Sequence, residues 1–180
     1  MAIKTFTTGE VLTAADTNTY LANSGLVFVK QQTIGSGVGS VQVTDAFSAD
    51  FDNYLIVLSD TVGSTSTSLV CQLGSVTTGY RYSFLYTTYT NTPAAVGTST
   101  ATAFAYCGSI TTTSGAAYFT LQNPFLSKNT FFQGAAANTS FSGNTSGVLA
   151  TTDSFTAFTI ITGAGTMTGG TIAVYGFRKG

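Results

Sequence analysis

In the stretch SADFDNY, Asp50 and Asp52 flank Phe51, so an extended backbone puts both carboxylates on one side. Two carboxylates so placed could bind a cation or act as acid and base, and glycoside hydrolysis in particular needs a facing pair. The other acidic residues, Glu10, Asp16, Asp45, Asp60 and Asp153, are scattered. The spacing matches no helix–loop–helix calcium loop, and a solvated approach to a strand accounts for the pair with fewer assumptions. The chain has no histidine. That removes the commonest acid–base residue and excludes Ser–His–Asp and Cys–His nucleophilic arrangements. Cys71 and Cys107 lie in strand-like runs, SLVCQL and FAYCGS, with no third cysteine to build a zinc site. Buried free thiols are the simplest reading, and a disulfide stays open if the two strands are neighbours. The glycines of GSGVGS (35–40) precede no helix and no Lys–Ser/Thr ending, so they read as a hairpin turn and not a phosphate loop. The expectation is a non-enzymatic protein without metal or cofactor.

Binding chemistry is better represented. In YRYSFLYTTY, period-two alternation puts Tyr80, Tyr82, Phe84 and Tyr86 on one face of a strand. Tyrosine offers an apolar ring with a polar tip, so Tyr80, Tyr82 and Tyr86 are candidates for stacking on a host surface glycan. The segment 134–147 repeats Asn-Thr-Ser at Asn138 and Asn144 and reads as a long polar loop, a second candidate contact surface. Nucleic acid is not an expected partner. Six basic residues are scattered along the chain and the net charge is −1, whereas phosphate binding needs clustered Lys and Arg.

These residues need elements to hold them. The chain has 180 residues, 7% of them charged against a usual ~25%, yet 14 Phe and 9 Tyr supply ample apolar bulk. Near-zero net charge suits a component of an assembly. No apolar run approaches the ~20 residues of a membrane span, and the opening MAIKTFTTGE has no apolar core segment. Synthesis in a cytoplasm without bilayer insertion is expected. Thr13 can cap a helix of about three turns, with Asp16 returning the contact, and Gly25 is a natural left-handed stop. The apolar face of that helix, Ala14, Ala15, Tyr20 and Leu21, is too thin to stand alone, so it must dock on something. From residue 26 the texture is β. Runs at 26–34, 40–47, 53–59, 67–73, 80–89, 100–110, 116–122, 129–134, 147–152, 155–161 and 170–179 make ten or eleven short strands, with turn signals between them, including NTPAAVGTS at 91–99. This predicts an all-β protein, an antiparallel jelly-roll-like β-sandwich over 26–180 with extra edge strands, preceded by an N-terminal arm and one short helix over 1–25.

The opening stretch FTTGEVLTAADTNTYL resembles the N-terminal segment of tailed-bacteriophage virion proteins, especially tail-fibre and related appendage proteins. Phe6, Gly9, Val11, Leu12, Thr13, Ala14, Ala15, Asp16 and Asn18 carry the likeness. The ending GTIAVYGFRKG is similar to the last strand of small phage structural proteins. The resemblance implies location in the virion and a homo-oligomer, commonly a trimer. It also implies an N-terminal segment that attaches to other virion proteins, with Phe6, Val11, Leu12, Tyr20 and Leu21 as the anchor. The chain carries no shaft repeat, collagen-like repeat or heptad, which keeps a capsid decoration (cement) protein as the alternative. A carbohydrate-binding module is the third reading.

Overall fold

The computed structural model describes residues 7–16, 25–115 and 117–179. Ahead of the β domain, one helical turn, α1 (Ala14–Asp16), is held by the expected reciprocal cap. The Asp16 amide donates to Thr13 Oγ1 (3.1 Å), while the Thr13 amide (3.2 Å) and hydroxyl (2.6 Å) donate to the Asp16 carboxylate. The rest of the expected three-turn helix lies outside the described residues. Gly25 has φ 75°, the left-handed conformation expected of it.

Twelve strands follow among the described residues: β1 (Leu26–Thr33), β2 (Ser40–Val43), β3 (Phe51–Gly63), β4 (Thr67–Leu73), β5 (Tyr80–Thr88), β6 (Pro93–Ala101), β7 (Phe104–Ile110), β8 (Ala117–Gln122), β9 (Thr130–Ala137), β10 (Phe141–Leu149), β11 (Phe158–Thr162) and β12 (Met167–Arg178). They form two antiparallel sheets, one of eight strands in the order β1-β12-β3-β8-β9-β10-β5-β6 and one of four in the order β2-β11-β4-β7. The pairings are nested: β1 with β12, β2 with β11, β3 with β8 and β4 with β7. An antiparallel ribbon folded over in this way is a jelly roll. The hairpins β5–β6 and β9–β10 are insertions in it, and both extend the larger sheet on one side.

Alternation decides which face is buried. Tyr54, Ile56 and Leu58 of β3, Phe119 and Leu121 of β8 and Ile172 and Val174 of β12 turn inward from the large sheet. Leu69, Cys71 and Leu73 of β4 and Phe158 and Ile160 of β11 meet them from the small one, all at most 1% exposed. β7 continues the contact over the inserted strands. Phe104 stacks on Phe132 of β9 at 4.8 Å and meets Tyr80 of β5 edge-on at 4.9 Å.

Two segments differ from expectation. NTPAAVGTS, read as a turn, forms most of β6, whose residues are almost all exposed; β5 supplies the hydrogen-bonding partner that its own sequence does not advertise. The segment 134–147, read as a loop, is a hairpin made by the end of β9 and most of β10, in register with β5 from Phe141↔Thr88 to Leu149↔Tyr80. Glycine makes that register possible. A Cβ at Gly143 would collide with the Leu85 carbonyl oxygen, and one at Gly147 would lie 2.5 Å from that of Arg81.

Candidate functional site

Both members of the acidic pair are engaged within the chain. Lys179 Nζ lies 2.8 Å from the Asp52 carboxylate and donates to the Ala49 carbonyl at 2.8 Å, while Asp50 accepts from the Ser48 hydroxyl at 3.0 Å. Asp52 therefore ties the end of the chain to the start of β3, and Asp50 closes the turn before it. Among the described residues, no three His, Cys, Asp or Glu side chains gather as metal ligands, and no helix is long and apolar enough to cross a membrane. Cys71 and Cys107 are free thiols, both fully buried, and burial pushes each thiol up from its ordinary range.

The tyrosine strand keeps its shared face, but that face points inward. Tyr80 is fully buried and is not a surface contact. Its hydroxyl accepts from the Leu73 amide at 2.8 Å, and burial raises its phenol. Period two assigns residues to sides without saying which side is the core, so the sequence could not separate Tyr80 from its neighbours. Tyr82 and Tyr86 are half-buried and belong to an aromatic stack on the inserted strands. Phe84, 1% exposed, lies between Tyr106 of β7 (4.4 Å, 8°) and Tyr86 (5.0 Å, 13°). Phe141 of β10 closes on Phe84 and Tyr86, and Tyr82 leans on Tyr106. Tyr106 enters the stack from a left-handed backbone, φ 57°. Sequence reasoning missed the place of Tyr106 in this stack, and the SFSG context of Phe141 gave no signal.

The two asparagines separate. Asn138 is committed to the β9–β10 turn: its Oδ1 accepts from the amides of Ser140 (2.8 Å) and Phe141 (3.1 Å), and its Nδ2 donates to Ser109 Oγ (3.0 Å). Asn144 is exposed on the outer face of the large sheet, between Ala135 and Leu85.

That outer face carries a coherent chemistry. One row, read through the strand registers, runs Phe28, Tyr175, Leu55, Thr120, Gln133 and Ser146. A parallel row includes Val57, Tyr118, Ala135, Asn144 and Leu85. A third runs from Leu26 and Phe177 through Phe131 to Arg81, the one charged side chain in the three rows. Shallow depressions indent it, one of about 330 Å³ beside Val57, Tyr118 and Ala135.

Of the sequence-predicted anchor, Val11 and Leu12 are described, and they are 79% and 49% exposed immediately ahead of the Thr13–Asp16 cap. Phe6, Tyr20 and Leu21 lie outside the described residues.

Topology and surface chemistry together define a jelly-roll β-sandwich with a near-neutral, aromatic-rich outer sheet. Compared with protein families, curated proteins and solved structures, the chain matches none of them.

Proposed function

We propose that the chain is a non-enzymatic structural protein of a tailed-bacteriophage virion, a tail-fibre or appendage component. It attaches to other virion proteins through its N-terminal segment and displays the jelly roll outward, as a homo-oligomer for which a trimer is favoured. The observation that carries this reading is the exposed pair Val11–Leu12 beside a capped helix start, ahead of a sandwich that already has a core of its own. Burying two such side chains on a partner would contribute about 1.5–3 kcal/mol each. Phe6, Tyr20 and Leu21 complete the proposed anchor. The buried thiols, the lysine across from Asp52 and the lack of histidine all favour assembly over catalysis.

Deleting residues 1–24 tests the anchor. The truncated protein is expected to keep its β circular-dichroism spectrum and cooperative unfolding and to disappear from purified particles; normal incorporation would sink the reading. Copy number per particle then separates the locations. A few to tens of copies fit an appendage, and hundreds fit a capsid decoration protein.

A second reading, host glycan contact, is favoured by the partly exposed rings of Tyr82, Tyr86, Tyr106 and Phe141, which present apolar and hydroxyl surface together. Glycan-array binding by the full chain, abolished by Tyr86→Ala, is its expected result.

A further inference from the structure

We propose that the outer face of the eight-stranded sheet is the surface through which this chain packs against a second copy of itself. The inference deepens the homo-oligomer reading above and rests on it; one face packed on itself is a two-fold contact, so it points to a dimer or an even multiple where that reading favours a trimer.

The first observation is chemical. Phe28, Leu85, Tyr118 and Phe131 are large apolar side chains 44–63% exposed on this one face. Among the residues between them are small ones, such as Ala135, Ala173 and Ser146, which let an opposing sheet approach closely. Tyr118 stands next to the depression floored by Ala135, so knob and recess lie side by side on one surface, as self-complementary packing requires. Arg81 is at one side of the face, on β5, away from its middle strands β8 and β9. Two copies can meet without opposing their guanidinium groups, and the face offers nothing to steer a partner of opposite charge.

The second observation concerns the edges. A β protein can also associate by strand addition, but most edges here are blunted. β1 carries a bulge between Phe28 and Lys30 and a lysine at that point. β2 has four residues. β7 has a register shift against β4 and the left-handed Tyr106, and β6 opens on Pro93. Strand addition is thereby disfavoured at three of the four edges, with β6 protected at its first residue.

The third observation is area. Eight strands spaced ~4.8 Å apart, carrying three rows of outward side chains, cover roughly 750 Å², close to the ~800 Å² that each partner contributes to a standard stable interface.

The test uses the purified full chain in solution and no particles, so its outcome is independent of virion incorporation. Sedimentation equilibrium at tens of micromolar is expected to give an even multiple of the chain mass, and a trimer overturns the proposal. Tyr118→Arg and Leu85→Glu are both at exposed positions that a folded monomer tolerates. Each is expected to give the monomer mass with an unchanged circular-dichroism spectrum. Gln42→Arg, exposed on the small sheet, is the control expected to leave the oligomer intact. If one face variant fails to fold, the other is read alone. A wild-type monomer at these concentrations overturns the proposal and leaves the face to a different virion protein or to none. A folded face variant that remains oligomeric overturns it equally. Loss of the virion reading would appear instead as absence from particles whatever the mass in solution.

Discussion

At the residue scale, Cys71 and Cys107 tie the core to pH. Each is fully buried, and burial favours the neutral thiol, so both titrate above the ordinary value of 9.0. In the unfolded chain the thiols lose their protons from about pH 9 upward, while in the folded chain they keep them. The unfolded state then binds fewer protons, and stability falls as pH rises. The contribution is whole below pH 9 and declines above it, by at most about 1.4 kcal/mol per pH unit for each thiol. The buried phenol of Tyr80, hydrogen-bonded to the Leu73 amide, adds a decline of the same sign from its ordinary value of 10.0. Urea unfolding followed from pH 7 to 11 is expected to show a midpoint that drops beyond pH 9. In the Cys71→Ala/Cys107→Ala double variant the midpoint is lower throughout, because two cavities are left, but its slope above pH 9 is shallower. An unchanged slope would mean that the thiols are not the groups responsible.

At the element scale, β10 shows how far the fold is legible. Its sequence, FSGNTSGVL, has the composition of a loop, and it becomes a strand because its neighbours require it. Gly143 and Gly147 let the backbone lie close against β5, whose inward residues Tyr80 and Phe84 are fully buried. Gly147→Val would drive a side chain into the Arg81 carbonyl and the Phe104 ring, which lie 2.5 and 3.0 Å from where its Cβ would sit. Overpacking of this kind costs about 1–3 kcal/mol. A chemical-denaturation midpoint lowered to that extent is expected, and an unaltered midpoint would show that β10 shifts freely against β5. The strands whose own residues alternate, such as β3, β5 and β12, were readable because the core needs that pattern. So was the Thr13–Asp16 cap, which is settled within four residues. β6 and β10 were not, since their conformation is imposed by partners distant in sequence. The candidate surfaces were legible only in part. Alternation grouped Tyr82, Phe84 and Tyr86, but which side faced the core, and the arrival of Tyr106 and Phe141, depended on β7 and β10 crossing that point.

At the scale of the whole molecule, the nested pairings make the last described strand indispensable. β12 lies between β1 and β3, so the first and last strands of the sandwich are neighbours. Its Met167, Ile172 and Val174 are fully buried against strands from the middle of the chain. Without β12 the core opens along its length, β1 loses its partner, and the apolar middle of β3, Tyr54 to Leu58, becomes a regular unpaired edge between the irregularities at its two ends. Almost none of this can be assembled locally, because each jelly-roll pair closes only after the intervening chain has been placed. Topologies dominated by such distant pairings fold in milliseconds to seconds. Deleting residues 167–180 is therefore expected to abolish cooperative unfolding and to yield aggregating protein, whereas deleting residues 1–24 leaves the transition intact. Stopped-flow refolding of the full chain should be correspondingly slow. A truncated chain lacking β12 that still unfolds in one sharp transition would show that the small sheet and the inserted hairpins hold a core by themselves. The sandwich would then be two cooperative units, and its display on a particle would not depend on completing the ribbon.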